Sequence, residues 1–185
     1  MTVVFFPESP VDHYPGVYGL FRFIEEVFLV DAKNVVQLTK LRQSDTARAG
    51  RGGAVARGRV FFEASADPFG TNPGQHCQIF PVNTRGGDLR QLTRLRDGDD
   101  RPSAIGCFNP LPGSCSIDQY FADRRTGAIT FTSNCDPVGR NPSRDQVFGM
   151  RPDGSGLRQL TTARGTWTDP DGTVHVELPG SVSVQ

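Results

Sequence analysis

A repeated segment limits the fold of this chain more than any other feature of its sequence. Residues 60–93 and 129–161 contain the same motifs in the same order: an apolar run, then Asp-Pro-x-Gly-x-Asn-Pro, then Gln-(Ile/Val)-Phe, and finally Leu-Arg-Gln-Leu-Thr. The last two motifs also match residues 26–39, where the Asp-Pro loop is missing. Recurrence of a segment within one chain is typical of repeat architectures, in which each unit packs against its neighbours.

The repeated segments have the composition of short β-strands joined by turns. Their apolar residues are β-branched or aromatic, no window has a sustained helical period, and the chain contains 21 Gly and 14 Pro. The last copy contains four such runs, near 119–122 and at 129–133, 146–150 and 157–161. Four antiparallel strands per repeat are typical of a β-propeller blade. The sequence therefore predicts an all-β fold, a partial β-propeller with about three four-stranded antiparallel blades.

The chain is predicted to form one β-propeller-like domain over its 185 residues. Its blade-like units are placed roughly at 1–58, 59–122 and 123–185. Residues 44–58 are rich in Arg, Gly and Ala and are predicted to be a linker, and residues 97–118 are predicted to be an inserted loop.

The four cysteines are Cys77, Cys107, Cys115 and Cys135. None belongs to a Cys-x-x-Cys motif and no histidine stands at zinc-ligand spacing beside them, so a metal site is not expected. Cys107 and Cys115 bracket a turn-rich loop that a disulfide could close, and this pair is the predicted disulfide. Four free thiols in a cytoplasmic protein are the alternative.

The repeated Asp-Pro loop is the strongest candidate for a functional site. Asp67 and Asn72 in one copy, and Asp136 and Asn141 in the other, offer oxygen ligands to a hard cation such as Ca²⁺. Each loop supplies few of the about six to eight oxygens that Ca²⁺ takes, and Asp or Asn before Pro is a common turn former. Turn formation is therefore the favoured interpretation, cation binding is the alternative, and no cofactor is predicted.

No catalytic motif is recognisable in the sequence. His13, His76 and His175 stand in different units, and Ser155 lies in Asp-Gly-Ser-Gly, which departs from the Gly-x-Ser-x-Gly nucleophile elbow. Aromatic residues recur at matched strand positions, which favours packing between blades over a carbohydrate-binding platform. These aromatic residues are Phe61, Phe62, Phe80, Phe131, Phe148 and Trp167.

Charge and hydropathy argue against two classes of partner. The chain has 20 basic and 20 acidic residues, so its net charge gives no reason to expect nucleic acid or an acidic membrane as a partner. No apolar run approaches the roughly 20 residues of a transmembrane helix, so membrane insertion is not expected. The first residues lack the basic and apolar regions of a signal peptide.

The order of motifs resembles the repeats of TolB-like β-propellers. Residues 78–93 and 151–161 carry the resemblance, together with Trp-Thr-Asp-Pro-Asp-Gly at 167–172, and it extends over more than half of the chain. The resemblance implies a non-enzymatic scaffold of the periplasm or the extracellular space that binds a protein or peptide. No residue of the chain can be matched to a partner-binding residue of that family.

The chain departs from the family in two ways. It contains about three blades where the family has about six, and no export signal precedes them. Truncation at the N-terminus would explain both departures, and blades supplied by a partner or by a second half-propeller would explain the first. The alternative functions are a non-catalytic propeller piece of a peptidase or hydrolase, and a cation- or carbohydrate-binding propeller.

Overall fold

The computed structural model describes residues 2–7, 25–30, 32–41, 53–96, 107, 115–140, 145–163 and 165–177. Within these ranges the chain forms the following strands: β1 (Thr2–Pro7), β2 (Glu25–Val30), β3 (Val35–Gln37), β4 (Ala54–Ala56), β5 (Arg59–Ala64), β6 (Gln78–Asn83), β7 (Ile117–Ala122), β8 (Ile129–Ser133), β9 (Gln146–Met150), β10 (Arg158–Gln159), β11 (Gly165–Thr168) and β12 (Val174–Glu177). No helix in the described ranges is long and apolar enough to cross a bilayer.

The strands form three sheets and a hairpin, and every neighbouring pair is antiparallel. The first sheet has the order β1-β2-β3, the second β4-β5-β6 and the third β10-β9-β8-β7, while β11 and β12 pair with each other. The prediction of an all-β fold with antiparallel sheets is confirmed. The third sheet has its four strands where the repeat pattern predicts them.

The sheets divide the chain differently from the predicted units. β4 lies within the predicted linker 44–58, and it pairs with β5. β7 ends before the predicted boundary at residue 123, and it pairs with β8 beyond that boundary. A two-residue turn, Arg57-Gly58 with φ near +50° and +72°, connects β4 directly to β5. A short turn likewise connects β7 to β8, so β4 and β7 each belong to the sheet of the strand that follows them.

Equivalent phenylalanines pair across the two central strands of the second and third sheets. Phe62 of β5 lies opposite Phe80 of β6, and Phe131 of β8 lies opposite Phe148 of β9. The rings stack with centroid separations of 5.7 Å in the first pair and 5.4 Å in the second. Each fully buried ring contributes roughly 1.5–3 kcal/mol to stability, so matched aromatic positions hold each sheet together.

The second sheet is covered on both faces. Val60 and Phe62 of β5 belong to a core shared with the first sheet, which contributes Val27. Phe61, between them in sequence, belongs to a second core that contains Phe131 of the third sheet. Successive strand residues point to opposite faces, so the continuous apolar run of β5 is explained by burial on both sides.

A side-chain arrangement that we call the Gln–Thr clamp joins the first residues of β2, β6 or β9 to a threonine further along the chain. In the second sheet, Thr93 Oγ1 accepts a hydrogen bond from the backbone N of Ile79 and donates one to Gln78 Oε1. Gln78 also accepts from the backbone N of Leu95 and donates from Nε2 to the carbonyl oxygen of Leu95. The clamp therefore satisfies backbone groups where the ladder of strand hydrogen bonds ends.

The clamp recurs at the equivalent place in the third sheet. Thr161 Oγ1 accepts from the backbone N of Val147 and donates to Gln146 Oε1. Gln146 binds both the backbone N and the carbonyl oxygen of Ala163. The glutamine of Gln-(Ile/Val)-Phe and the threonine of Gln-Leu-Thr thus recur because both copies build the same hydrogen-bond arrangement.

The first sheet builds the clamp with a glutamate. Thr39 Oγ1 accepts from the backbone N of Val27 and donates to Glu26 Oε2, while Glu26 Oε1 accepts from the backbone N of Leu41. Glu26 is completely buried. A carboxylate has no N–H to offer to the carbonyl oxygen of Leu41, so this clamp lacks the donor that glutamine supplies in the other two.

The disulfide pairing corrects the sequence prediction. Cys77 is bonded to Cys107, and Cys115 is bonded to Cys135. The predicted Cys107–Cys115 disulfide is therefore wrong, and so is the alternative of four free thiols.

Strand pairing is the physical reason for the observed partners. Cys115 comes just before β7 and Cys135 just after β8, and these strands pair so that Ile117 lies opposite Ser133. The two cysteines are thereby brought to a Cα–Cα distance of 4.7 Å. Cys107 lies instead in the second core, 5.0 Å from the Cα atom of its partner before β6.

Candidate functional site

The first Asp-Pro loop is closed by hydrogen bonds among its own residues. Asp67 Oδ1 accepts from the backbone N of Asn72 at 2.7 Å, and the carbonyl oxygen of Asp67 accepts from the backbone N of Gly70 at 3.4 Å. Gly70 has a φ of +67°, which glycine adopts without strain. The carboxylate of Asp67 therefore acts as a turn-closing acceptor.

Asn72 is a buried polar residue whose amide is hydrogen bonded to the backbone of this loop. It is 3% exposed, and its Nδ2 donates to the carbonyl oxygens of Ala66 and His76 at 3.2 and 2.8 Å. Its Oδ1 accepts from the backbone N of His76 and from Gln78 Nε2. Both polar atoms of the amide are engaged in holding the loop, so this predicted ligand serves the chain itself.

The described part of the second Asp-Pro loop, which ends at Arg140, shares two features with the first loop. Asp136 Oδ1 accepts from the backbone N of Arg140 at 2.6 Å, one residue earlier than in the first loop. Gly139 has a φ of +70°, which matches the first loop. The predicted ligand Asn141 lies outside the described residues. The structure therefore brings Asp67 and Asn72 together, and it describes only the aspartate of the second pair.

The histidines fall in separate places. His76 is 3% exposed, and its ring lies against the backbone of Gly74, where a Cβ would come within 2.5 Å of Nε2. His175 belongs to β12, and His13 lies outside the described residues. His76 lines a cavity described below.

A cavity of about 350 Å³, which we call the basic cleft, opens beside the first Asp-Pro loop. It is lined by Thr71, Asn72, Pro73, Gly74, His76, Gln78, Arg94, Leu95 and Arg96. The Gln–Thr clamp positions the basic side of the cleft, which consists of Arg94 and Arg96. Gln78 holds the backbone of Leu95 between them, and the Leu95 side chain is buried. The neighbouring residues Arg94 and Arg96 consequently turn outward in extended backbone.

The two arginines of the basic cleft differ electrostatically from a third one close by. Arg90 lies 3.3 Å from Asp88, which also forms an ion pair with Arg59. The hydrogen bond from Arg59, with the charges of Arg59 and Arg90, holds the pKa of Asp88 below its ordinary value. Arg94 and Arg96 form no ion pair with any residue in the described ranges. Both arginines line the cleft.

A shallower groove of about 280 Å³ adjoins the basic cleft, and we call it the Phe69 groove. It shares Thr71 and Arg94 with the cleft and adds the side chains of Phe69 and Leu89. Phe69 is 47% exposed, which is unusual for a phenylalanine in the repeated segments. An apolar surface beside two arginines suits a ligand that carries both carboxylate and apolar groups.

Glu63 of β5 forms a buried cluster with Cys77 and Cys107, which we call the Glu63 cluster. Glu63 is 2% exposed, and its carboxylate lies close to the sulfurs of Cys77 and Cys107. Their ligand atoms lie within 4.8 Å of one another, and this is the one such group of His, Cys, Asp or Glu in the part of the chain that the structure describes. The Asp-Pro loops singled out by sequence are not part of it.

Sequence reasoning missed both the basic cleft and the Glu63 cluster. The alternation Arg-Leu-Arg directly after Leu-Thr was the available signal for the cleft, since it places two basic residues on one side of an extended segment. The Glu63 cluster had no comparable signal. Comparison of the chain with protein-family models and with curated proteins found no match.

Proposed function

We propose that this chain is part of a β-propeller-type scaffold, similar to TolB-like propellers, that binds an acidic segment of a protein or peptide without catalysing a reaction. The basic cleft carries the proposal, because Arg94 and Arg96 stand side by side there without an ion-pair partner in the described ranges. Guanidinium groups bind carboxylates through charged hydrogen bonds with matching planar geometry.

The stacking of the sheets supports the propeller part of the proposal. The second sheet packs face to face with the first through one core and with the third through another. Each of these sheets builds a clamp at the same place, with Glu26 in the position of the glutamine in the first sheet. Consecutive sheets that stack face to face through apolar cores are the arrangement of propeller blades. Further blades of the same propeller, from this or another chain, are part of the proposal.

Positive charge recurs next to the clamps in the sequence. Arginine stands three positions after the clamp threonine in every copy, as Arg42, Arg96 and Arg164. Arg42 and Arg164 lie outside the described residues, so the structure gives the surroundings of Arg96 alone. Recurrence of a charged residue that the core does not need supports a surface that presents basic groups from successive blades.

The size and composition of the cleft indicate the ligand class. At about 350 Å³ the cleft is near the lower end of small-ligand pockets, which suits one or two side chains better than a large cofactor. The Phe69 groove next to it offers an apolar surface. We therefore infer a peptide segment with adjacent acidic and apolar residues as the ligand.

The two disulfides support a location outside the reducing cytoplasm. Disulfides persist in secreted, periplasmic and extracellular proteins and are rare in the cytosol. Two disulfides in one chain therefore favour the periplasm or the extracellular space. This location agrees with the one implied by resemblance to TolB-like propellers.

Binding to an array of acidic, neutral and basic peptides tests the proposal. We expect acidic peptides that contain a phenylalanine or leucine to bind, and Arg94→Gln with Arg96→Gln to weaken that binding at least tenfold, which is about 1.4 kcal/mol. Binding should also weaken as salt is added. Mass spectrometry of the recovered peptides should find them unchanged, whereas cleaved peptides would indicate a hydrolase.

Arg124→Gln with Arg125→Gln is the matched control. Both residues are exposed in the turn between β7 and β8, so this variant loses the same charge at a place remote in sequence from the cleft. We expect binding within about twofold of the unmodified protein. Equal weakening by the two double variants would mean that the peptides sense net charge, and the cleft would not be the site.

A further inference from the structure

Glu63 places a buried carboxylate beside the Cys77–Cys107 disulfide. Its Oε2 lies 3.7 Å from Cys77 Sγ, and all three residues are at least nine-tenths buried. Cysteine thiolates and glutamate carboxylates are both ligands of Zn²⁺.

The distances in the cluster suit a zinc ion once the sulfurs are separate. With Zn–S bonds of about 2.3 Å and Zn–O bonds of about 2.0 Å, tetrahedral geometry puts sulfur and oxygen about 3.5 Å apart and two sulfurs about 3.8 Å apart. The 3.7 Å between Cys77 Sγ and Glu63 Oε2 is close to the first of these values. Two thiols released from a disulfide move to non-bonded contact, which is close to the second.

We propose that Cys77, Cys107 and Glu63 form a zinc site when the disulfide between the two cysteines is reduced. A phosphine reductant breaks the S–S bond and becomes a phosphine oxide with the oxygen of one water, whose two hydrogens go to the sulfurs. Zn²⁺ then displaces these two protons and binds both thiolates and the carboxylate, with a water as the fourth ligand. Cys77 and Cys107 in the second core are thus joined either by their disulfide or through a shared metal ion.

The other disulfide provides an internal comparison. Cys135 Sγ lies 3.9 Å from the carbonyl oxygen of Ser116, a neutral acceptor. In the part of the chain that the structure describes, no third His, Asp or Glu completes a ligand group with Cys115 and Cys135. Among the described residues, reduction of this pair therefore yields two thiols without a carboxylate or an imidazole that completes the group. The inference does not depend on the proposed peptide binding, because it concerns a different cluster.

Metal titration of the reduced full-length chain tests the proposal. Two variants are compared: Cys115→Ser with Cys135→Ser, which keeps the proposed site, and Cys77→Ser with Cys107→Ser, which keeps the other pair of thiols. Co²⁺ is the spectroscopic probe, since thiolate-to-cobalt absorption reports sulfur ligation, and Zn²⁺ is then added in competition. We expect the first variant to bind both ions at least tenfold more tightly than the second.

Glu63→Gln in the first variant tests the carboxylate. We expect this nearly isosteric change to weaken Zn²⁺ binding at least tenfold, because a neutral amide is a poor ligand for Zn²⁺. Circular dichroism follows the fold, and Zn²⁺ should raise the melting temperature of the first variant but not of its Glu63→Gln derivative. If the chain were unfolded, either variant would offer two thiols, and its affinity for Zn²⁺ would not depend on residue 63. Equal affinities, or no effect of Glu63→Gln, would therefore overturn the proposal.

Discussion

The phenolic oxygen of Tyr120 lies 2.9 Å from the carbonyl oxygen of Phe61, so one hydrogen bond connects β7 of the third sheet with β5 of the second. The donor belongs to a partly buried side chain, and the acceptor belongs to the strand that is covered on both faces. This hydrogen bond adds a directional contact to the apolar core between the two sheets.

Tyr120→Phe should lower the free energy of unfolding by about 1 kcal/mol near neutral pH, since it removes the hydrogen bonds of the hydroxyl to the backbone of Phe61 and of Ala54 and leaves the ring. Urea denaturation measures the change. Burial, and next the negative charge of Glu63, raise the pKa of Tyr120 above its ordinary value of about 10. The folded state therefore keeps its proton when the unfolded chain ionises, so this stabilisation is complete below about pH 10 and decreases as the pH rises further.

The pH dependence distinguishes this account from simple loss of packing. The stability difference between the unmodified protein and Tyr120→Phe should become smaller, and then reverse in sign, above about pH 10. A difference that stays constant up to pH 11 would contradict the assigned pKa direction.

Thr93→Val should destabilise the protein by about 2 kcal/mol, because the buried backbone N of Ile79 loses its acceptor. Thr161→Val removes the same bond from the clamp of the third sheet, where the threonine is only partly buried and water can replace it. We expect a loss below about 1 kcal/mol there. Thr93→Ser is the control, since it keeps the hydroxyl and should cost less than Thr93→Val. Equal losses for the two valine variants would show that burial does not set the strength of the clamp.

Glu26→Gln should leave stability unchanged or raise it by about 1 kcal/mol, because a neutral amide replaces a buried carboxyl group. The two other clamps show that glutamine can accept from the threonine hydroxyl and donate to the following carbonyl oxygen, which here belongs to Leu41. Chemical denaturation at pH 7 measures the effect. A loss above 2 kcal/mol would mean that the negative charge of Glu26 is required, and Glu26→Ala should be worse than Glu26→Gln in either case.

Gly74→Ala should lower stability by about 1–2 kcal/mol, because its Cβ would lie 2.5 Å from Nε2 of the buried His76 ring. A double-mutant cycle tests the cause. In a His76→Ala background the same substitution should be neutral or stabilising by up to about 1 kcal/mol, since alanine restricts the unfolded chain more than glycine does. The same loss in both backgrounds would exclude the contact with the histidine.

The strands of this protein could be predicted because each depends on local pattern. Alternating and continuous apolar runs, with Gly and Pro between them, place β5, β6, β8 and β9 close to their observed bounds. The Gln-Leu-Thr repeat was visible as well, although its hydrogen bonds were not. Those hydrogen bonds form only when the segment after β6 or β9 folds back beside that strand.

The disulfides and the candidate sites could not be predicted in the same way. Cys107 and Cys115 are close in sequence, but each finds its partner through tertiary packing, and four cysteines allow three pairings. Glu63 stands in an apolar run and gave no sign that it faces a disulfide. The Asp-Pro loops looked functional because they repeat, whereas the engaged amide of Asn72 explains the first of them as a structural closure.

The double-sided burial of the second sheet limits how this chain can be divided. A fragment that ended before β7 would leave Phe61 and Ile79 uncovered, and one that began after β3 would leave Phe62 and Phe80 uncovered. Either fragment would expose an apolar sheet face to water and would tend to associate with copies of itself. Loss of either flanking sheet would therefore lower the solubility of the remaining chain as well as its stability.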